Sequence, residues 1–288
     1  MLRTIWDSFT GWIRDSVDSG AVDRTGSLTE QERAFIKSYV WLRIVVGVVG
    51  WSLPVVLWLG DWWFVRVSAH ARGSISAYYH SPMRDWFVAA LCVIGALLVT
   101  YMLGKWQNFE FWVSTIAGLG LIGVAFFPTE RSDITAGTPS CGSDPIPRDC
   151  NDLEHRFGEQ FIGNLHIGFA ITALVLLGVL ALLFAARARR RDPGGWLGRI
   201  QLACAGVIAL ALLVAAAGMA FTSWQIWVLT PLYVGEVLTV LAFGTSWFLQ
   251  GLDLNRWLKT VPDDGPAEET VVTAGAGSPP GGSSVEIA

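Results

Sequence analysis

Residues 161–191 read FIGNLHIGFAITALVLLGVLALLFAARARRR. From Phe161 to Ala185 the run carries no charge, and then Arg187, Arg189, Arg190 and Arg191 follow almost at once. An uncharged apolar stretch of about 20 residues matches the hydrocarbon thickness of a bilayer when helical. A cluster of arginines directly after it marks the cytoplasmic flank. The apolar residues are continuous rather than alternating, so a membrane strand does not account for them. Lipid offers no partners for exposed backbone groups, and a helix satisfies its own.

Five more runs share this character: Val40–Leu59, Trp86–Leu103, Phe111–Phe127, Ile200–Phe221 and Ile226–Leu249. The sequence therefore predicts an all-α fold, a polytopic bundle of six transmembrane helices over residues 38–252. Composition agrees. Of 288 residues, 52% are hydrophobic and 15% charged, with a mean hydropathy of +0.47. Such a chain is not a soluble enzyme, a disordered polymer or a fibre. A net charge of -4 and pI near 5.6 exclude a nucleic-acid binder, which needs a basic face.

Basic residues orient the spans. With the N-terminus cytoplasmic, only Arg66, Arg72, Arg84, Arg131, Arg148 and Arg156 of the 20 basic residues fall outside. Trp58, Trp62, Trp63, Trp86, Trp224 and Trp227 then mark the outer boundary, and Trp41, Trp106, Trp112, Trp196, Trp247 and Trp257 the inner one. The loop 128–160 between spans three and four lies outside, where Cys141 and Cys150 are expected to form a disulfide. Cys92 and Cys204 fall within spans and read as small buried apolar residues. The expected location is the bacterial inner membrane, with both termini cytoplasmic and no cleavable signal peptide, the first span serving as an uncleaved anchor.

Residues 1–37 read as a cytoplasmic amphipathic helix and linker. Ile5, Trp6, Phe9, Trp12, Ile13 and Val17 share one helical face, suited to the inner leaflet or to the bundle's own end. Ser27 or Thr29 caps the next helix. Residues 253–288 form a cytoplasmic tail, rich in Pro, Gly and Ser and expected to be disordered from about 261.

Polar chemistry collects on the outer side, where all four histidines (His70, His80, His155, His166) are placed. The densest group is Ser74-Ile75-Ser76-Ala77-Tyr78-Tyr79-His80, followed by Arg84-Asp85. Three readings stand. The first is an interfacial loop with aromatic anchors. The second is a ligand or lipid-head-group site built from Ser74, Ser76, Tyr78, Tyr79, His80, Arg84 and Asp85. The third is a nucleophile triad of Ser76, His80 and Asp85, with Ser76 and His80 on one helical face. His166 and Glu159 share a face of span four with His155 beyond them, and His166 is also a candidate metal ligand. Glu236 is the carboxylate nearest the middle of a predicted span. There it marks a proton-coupled group or a cross-helix hydrogen bond, with Tyr233, Tyr101, Thr100 and His166 as candidate partners. Gly118, Gly120 and Gly123 give span three a smooth packing face.

The stretches Ser74–Tyr79 and Arg84–Val88 resemble a group of uncharacterised bacterial polytopic membrane proteins. So do Phe126–Thr129 and Gly235-Glu236 through Phe243-Gly244 and Trp247. The resemblance implies shared architecture over roughly 38–252. Ser76-x-x-x-His80 with Asp85 also looks like the first elements of the CREST superfamily of membrane hydrolases and receptors, although span six has no counterpart of that superfamily's paired histidines. That likeness implies a metal-dependent lipid hydrolase with zinc held through His80 and His166.

The sequence expectation is thus an outward-facing polar pocket that binds a lipid head group or small ligand. It joins Ser74, Ser76, Tyr78, Tyr79, His80, Arg84, Asp85, His166 and Glu236. The alternatives are the zinc hydrolase and a proton-coupled transporter using Glu236. Expected partners are membrane lipids, or a membrane protein or second copy of the chain.

Overall fold

The computed structural model describes residue 11 and residues 28–65, 72–102, 107–131, 138–220 and 229–262. Every regular element among the described residues is helical. The seven α-helices are α1 (Glu30–Val65), α2 (Arg84–Thr100), α3 (Phe109–Phe126), the short α4 (Asp152–Phe157), α5 (Glu159–Arg191), α6 (Trp196–Ala220) and α7 (Pro231–Leu258), and a 3-10 helix runs over Ser76–His80. The predicted N-terminal amphipathic helix, His70, Trp106, Trp224, Trp227 and the tail beyond 262 lie outside the described residues.

Five helices are long and apolar enough to cross a membrane: α1, α3, α5, α6 and α7. The sixth expected span, α2, has 17 residues. The six long helices run up and down and close into a ring. In it α1 packs on α7, α7 on α6, α6 on α5, α5 on α3, α3 on α2, and α2 back on α1. The ring buries Leu53, Leu57, Phe87, Ile94, Leu98, Leu177, Leu180, Phe184, Phe243 and Trp247 at its centre.

Helix ends follow capping chemistry. Helix α1 begins well before the apolar run at Val40, preceded by Thr29, one of the two expected caps. Its hydroxyl accepts from the Glu32 N–H at 3.3 Å, and the Glu32 carboxylate accepts the Thr29 N–H at 3.0 Å, a reciprocal capping box. Thr230 caps α7 by accepting from the Tyr233 N–H at 3.1 Å, with Pro231 at the first helical position. Proline costs nothing there, because its missing N–H would have no partner in the helix. The helix thus starts five residues later than the apolar run and ends at Leu258. Glu236 is therefore in its second turn, about 7–8 Å from the end at 1.5 Å per residue, and not at mid-span.

Two ring contacts need glycine. A Cβ at Gly118 would lie 2.5 Å from the Gly95 carbonyl oxygen, and one at Gly95 would lie 2.7 Å from that of Gly118. Gly47 and Gly244 stand in the same relation between α1 and α7, at 2.8 and 2.9 Å. Backbone meets backbone at both places, the close approach that drives helix association in lipid. The expected smooth face of α3 is in fact two faces. Gly118 serves α2, whereas Gly120 and Gly123 receive Ala173 and Phe169 of α5.

Most tryptophans expected at an interface are open on the surface, among them Trp41, Trp62, Trp63, Trp86, Trp112 and Trp196. Trp247 is the exception and corrects the expectation. It is fully buried, its ring edge-on to Tyr101 at 4.8 Å and to Phe184 at 5.5 Å.

Candidate functional site

Where α5, α6 and the start of α7 meet the segment 72–83, the ring encloses a cavity of about 310 Å³. That lies at the lower end of the size range of ligand sites, about 300–1,000 Å³. Its polar lining is Ser74, Ser76, Thr129, His166 and Glu236. The rest is aliphatic, including Ile167, Ile171, Leu174 and Val175 of α5 and Leu212, Ala215 and Met219 of α6. Ile171, Val175 and Met219 are about half exposed on the outside of the bundle. The cavity therefore communicates sideways with whatever surrounds the helices. A second, smaller space of about 60 Å³ lies in the ring's centre. It shares Ser76, Ala170, Leu174 and Glu236 with the first and is otherwise apolar.

Glu236 holds the roof of this space. Its Oε2 accepts the Ile75 N–H at 2.5 Å, and the Ser76 N–H lies beside the same carboxylate. These are the unpaired donors at the start of the 3-10 helix, where a negative group is favoured. Thr230 adds a second tie, its hydroxyl donating to the Gly73 carbonyl at 2.5 Å. The roof is thus fastened to the first turns of α7.

The other side of the roof is fastened to the loop 138–158. Cys141 and Cys150 are disulfide-bonded there, as the sequence predicts. Arg84 donates to the carbonyls of Tyr79 at 2.8 Å and Asp149 at 2.7 Å, and its guanidinium covers the Tyr79 ring at 4.6 Å. Asn151 donates to the Tyr79 hydroxyl at 3.0 Å while its side chain caps α4 in a capping box with Glu154. Arg131 makes a two-pronged bond to Glu159, at 3.0 and 3.1 Å, and a further bond to Asp149 at 3.0 Å. These bonds, Glu159 first, raise the Arg131 pKa further. Burial pushes the Asp149 carboxyl up, but the bond and charge of Arg131 more than reverse this, leaving it below its ordinary range. Glu154 moves the other way. Burial pushes it above its ordinary range, and the Asn151 N–H and the His80 ring offset that only in part.

Comparison with known protein families, curated proteins and solved structures finds no match. The chemistry must be read from these residues alone.

Of the expected pocket residues, Ser74, Ser76, His166 and Glu236 come together around the cavity. Tyr78 and Tyr79 are buried in the roof. Arg84 serves the carbonyls of Tyr79 and Asp149 and is not among the cavity's lining residues. Ser76, His80 and Asp85 do not assemble as a triad. A 3-10 helix has three residues per turn, so side chains four apart diverge by about 120° instead of sharing a face. Asp85 is exposed in the first turn of α2. The two ring nitrogens of His80 face backbone carbonyls, Asp149 at 2.8 Å and Thr129 at 2.6 Å, with the Glu154 carboxylate 4.0 Å away. His166 Nδ1 donates to the Phe127 carbonyl at 2.6 Å. Zinc does not fit these residues: a histidine ligates through one ring nitrogen, and both nitrogens of His80 already face carbonyl oxygens, which leaves Nε2 of His166 alone. Among the described residues the group with three clustered ligand atoms is Cys141, Cys150 and Glu154, and its two sulfurs are bonded to each other.

A second polar cluster, unforeseen from the sequence, lies at the opposite end of the ring. Glu110, fully buried at the start of α3, pairs with Arg187 and accepts from the Tyr101 hydroxyl at 2.8 Å. Arg43 donates to that same hydroxyl at 2.7 Å and to Gln250 at 3.2 Å, with the rings of Tyr39, Tyr101 and Phe184 around its guanidinium at 4.8 to 5.6 Å. Tyr101 is thus committed to this cluster and is no partner of Glu236. Arg187 was counted among the flanking charges because the apolar run stops at Ala185. The helix continues to Arg191 and turns Arg187 inward. Thr129 lies in the Phe126–Thr129 stretch that carries the resemblance, but nothing in the sequence marks it as a lining residue.

Proposed function

We propose that this chain is a six-span integral protein of the bacterial inner membrane, with both termini cytoplasmic, and that its outer half binds a lipid or lipid-like amphiphile. The observation that carries the reading is the cavity of about 310 Å³, polar at its roof and aliphatic along α5 and α6, with Ile171, Val175 and Met219 open on the bundle's outer surface. An amphiphile placed there sets its head against Ser76, His166 and Glu236, and its chain runs out between α5 and α6 into the bilayer. Burying that chain against aliphatic side chains adds packing contacts that loose lipid tails do not supply. In this reading α2 is the shortest span, and the six-helix ring returns the chain to the side on which it started. The arginine-rich end of α5 supports the orientation, and so does the disulfide at the other end, which belongs in an oxidising compartment.

The test fills the cavity. Ala216→Trp places an indole in the aliphatic wall, at an exposed lining position of α6. Wild-type protein extracted in mild detergent is expected to retain an amphiphile detectable by native mass spectrometry. The variant should retain at least tenfold less while keeping its melting temperature within a few degrees. Equal retention by both proteins, or none by either in detergent and in lipid nanodiscs, overturns the proposal.

A further inference from the structure

The cavity's polar end is lopsided in charge. It offers the Glu236 carboxylate, the Ser74, Ser76 and Thr129 side chains and the His166 ring. With Nδ1 of His166 donating to Phe127, the neutral ring keeps its lone pair on Nε2, an acceptor. Among the described residues no lysine or arginine lines the cavity. Three described arginines of the neighbouring segments are held elsewhere. Arg72 forms a two-pronged bond with Asp61 at 2.9 and 3.1 Å, Arg84 serves two carbonyls, and Arg131 holds Glu159 and Asp149. The roof's own N–H groups at Ile75 and Ser76 are directed at Glu236 and cannot serve a ligand anion as well.

We infer that the cavity selects amphiphiles by head-group chemistry. It takes heads that donate hydrogen bonds and carry no negative charge, a hydroxyl or a primary amine, and it rejects phosphate and other anionic heads. The inference rests on the amphiphile-binding reading above and adds its specificity. A donor head meets acceptors at Glu236 and His166. An anionic head would be desolvated beside a carboxylate with no cation to pair it, and a buried unpaired charge is strongly disfavoured. Discrimination arises here from repulsion and unmet bonds as much as from attraction. The bulk phospholipids around the protein then compete poorly, although they are the most abundant amphiphiles at the opening between α5 and α6.

Three probes with the same hexadecyl chain, each with a mid-chain diazirine, test this: the alcohol, the amine and the phosphate monoester. Full-length protein in phosphatidylcholine nanodiscs is irradiated with each, and the labelled residues are mapped by peptide mass spectrometry. The alcohol and the amine are expected to label around Ile167, Ile171, Val175 and Met219 at least tenfold more than the phosphate, and Ala216→Trp should abolish that labelling. An amine that exceeds the alcohol identifies an ionised Glu236 as its partner, and Glu236→Gln should then equalise the two. An alcohol equal to the amine identifies a neutral acceptor. Both results uphold the inference. Phosphate labelling equal to or above that of the others, at the same residues and sensitive to Ala216→Trp, overturns the specificity and leaves amphiphile binding intact. Labelling that avoids these residues with all three probes, or ignores Ala216→Trp, overturns both.

Discussion

Glu110 holds together the end of the ring opposite the cavity. It is the carboxylate that faces both Arg187 and the Tyr101 hydroxyl that Arg43 shares. Removing one partner of a buried pair leaves the other charge uncompensated, which costs about 3–5 kcal/mol, whereas removing both is far milder. Glu110→Gln should therefore lower the unfolding free energy by about that much. The double variant Glu110→Gln with Arg187→Gln should recover part of the loss, measured as a chemical-denaturation midpoint in detergent micelles. At the opposite end Asp149 sets a pH dependence. Its folded pKa lies below its ordinary value, so its contribution is complete above the unfolded pKa of about 3.9. That contribution falls away as pH drops through the lower, folded value. Glu154 has the opposite sign, and its contribution is largest when protonated, at pH below about 4.3. Amide hydrogen exchange across 138–158 should separate the two. In Asp149→Asn, protection near neutral pH should drop and the acid-side loss should flatten.

Elements show where hydropathy reads well and where it does not. The apolar mass locates all six long helices, because a bilayer-sized run without charge has few other outcomes. It misplaces their ends, because ends are set by caps and not by apolar content. Thr230-Pro231 is a legible start signal, and using it shifts Glu236 from mid-span to the roof of a cavity. Ser74, Ser76, His166 and Glu236 were legible as polar residues on one side of the membrane. Their meeting in one pocket was expected as well; that Tyr78, Tyr79, His80, Arg84 and Asp85 stay out of its lining was not, since it depends on the 3-10 helix and on the loop carbonyls that His80 and Arg84 face. Arg187 and Glu110 were illegible for a related reason. A charge just past an apolar run looks like a flank until the helix is known to continue. The glycine contacts make a prediction at this scale. Gly118→Val drives a branched side chain into the Gly95 carbonyl and the backbone of Val99. Overpacking of this kind costs about 1–3 kcal/mol. It should lower the thermal midpoint while Gly168→Val, at a position with open space around it, leaves it unchanged.

Over the whole molecule, the two ends of the ring are closed by different means. One is closed by charge inside the helices, the other by loops tied to one another through carbonyls, the disulfide and Arg131. Opening the disulfide is expected to loosen the loops without opening the ring. Cys141→Ser with Cys150→Ser should raise hydrogen exchange across 138–158 and at Ile75–His80, while amides in α3 and α5 keep their protection. Uniform loss of protection over all helices would show instead that the loops hold the ring together.

The Glu110 cluster also constrains how the chain is made. Arg43 leaves the ribosome long before its partner Gln250, and Glu110 before Arg187, yet both early helices must settle in the membrane first. Until α7 arrives, Arg43 has a long side chain and no amide to meet, so α1 is expected to ride shallow, with its guanidinium in the head-group layer. Synthesis of α7 then draws it inward. A nascent chain halted before Gln250 is accordingly an incomplete assembly, its Arg43 left with the Tyr101 hydroxyl but without the amide. It should be cleared by membrane quality-control proteolysis far faster than the finished protein, as pulse-chase of chains truncated at 230 and at 262 would register.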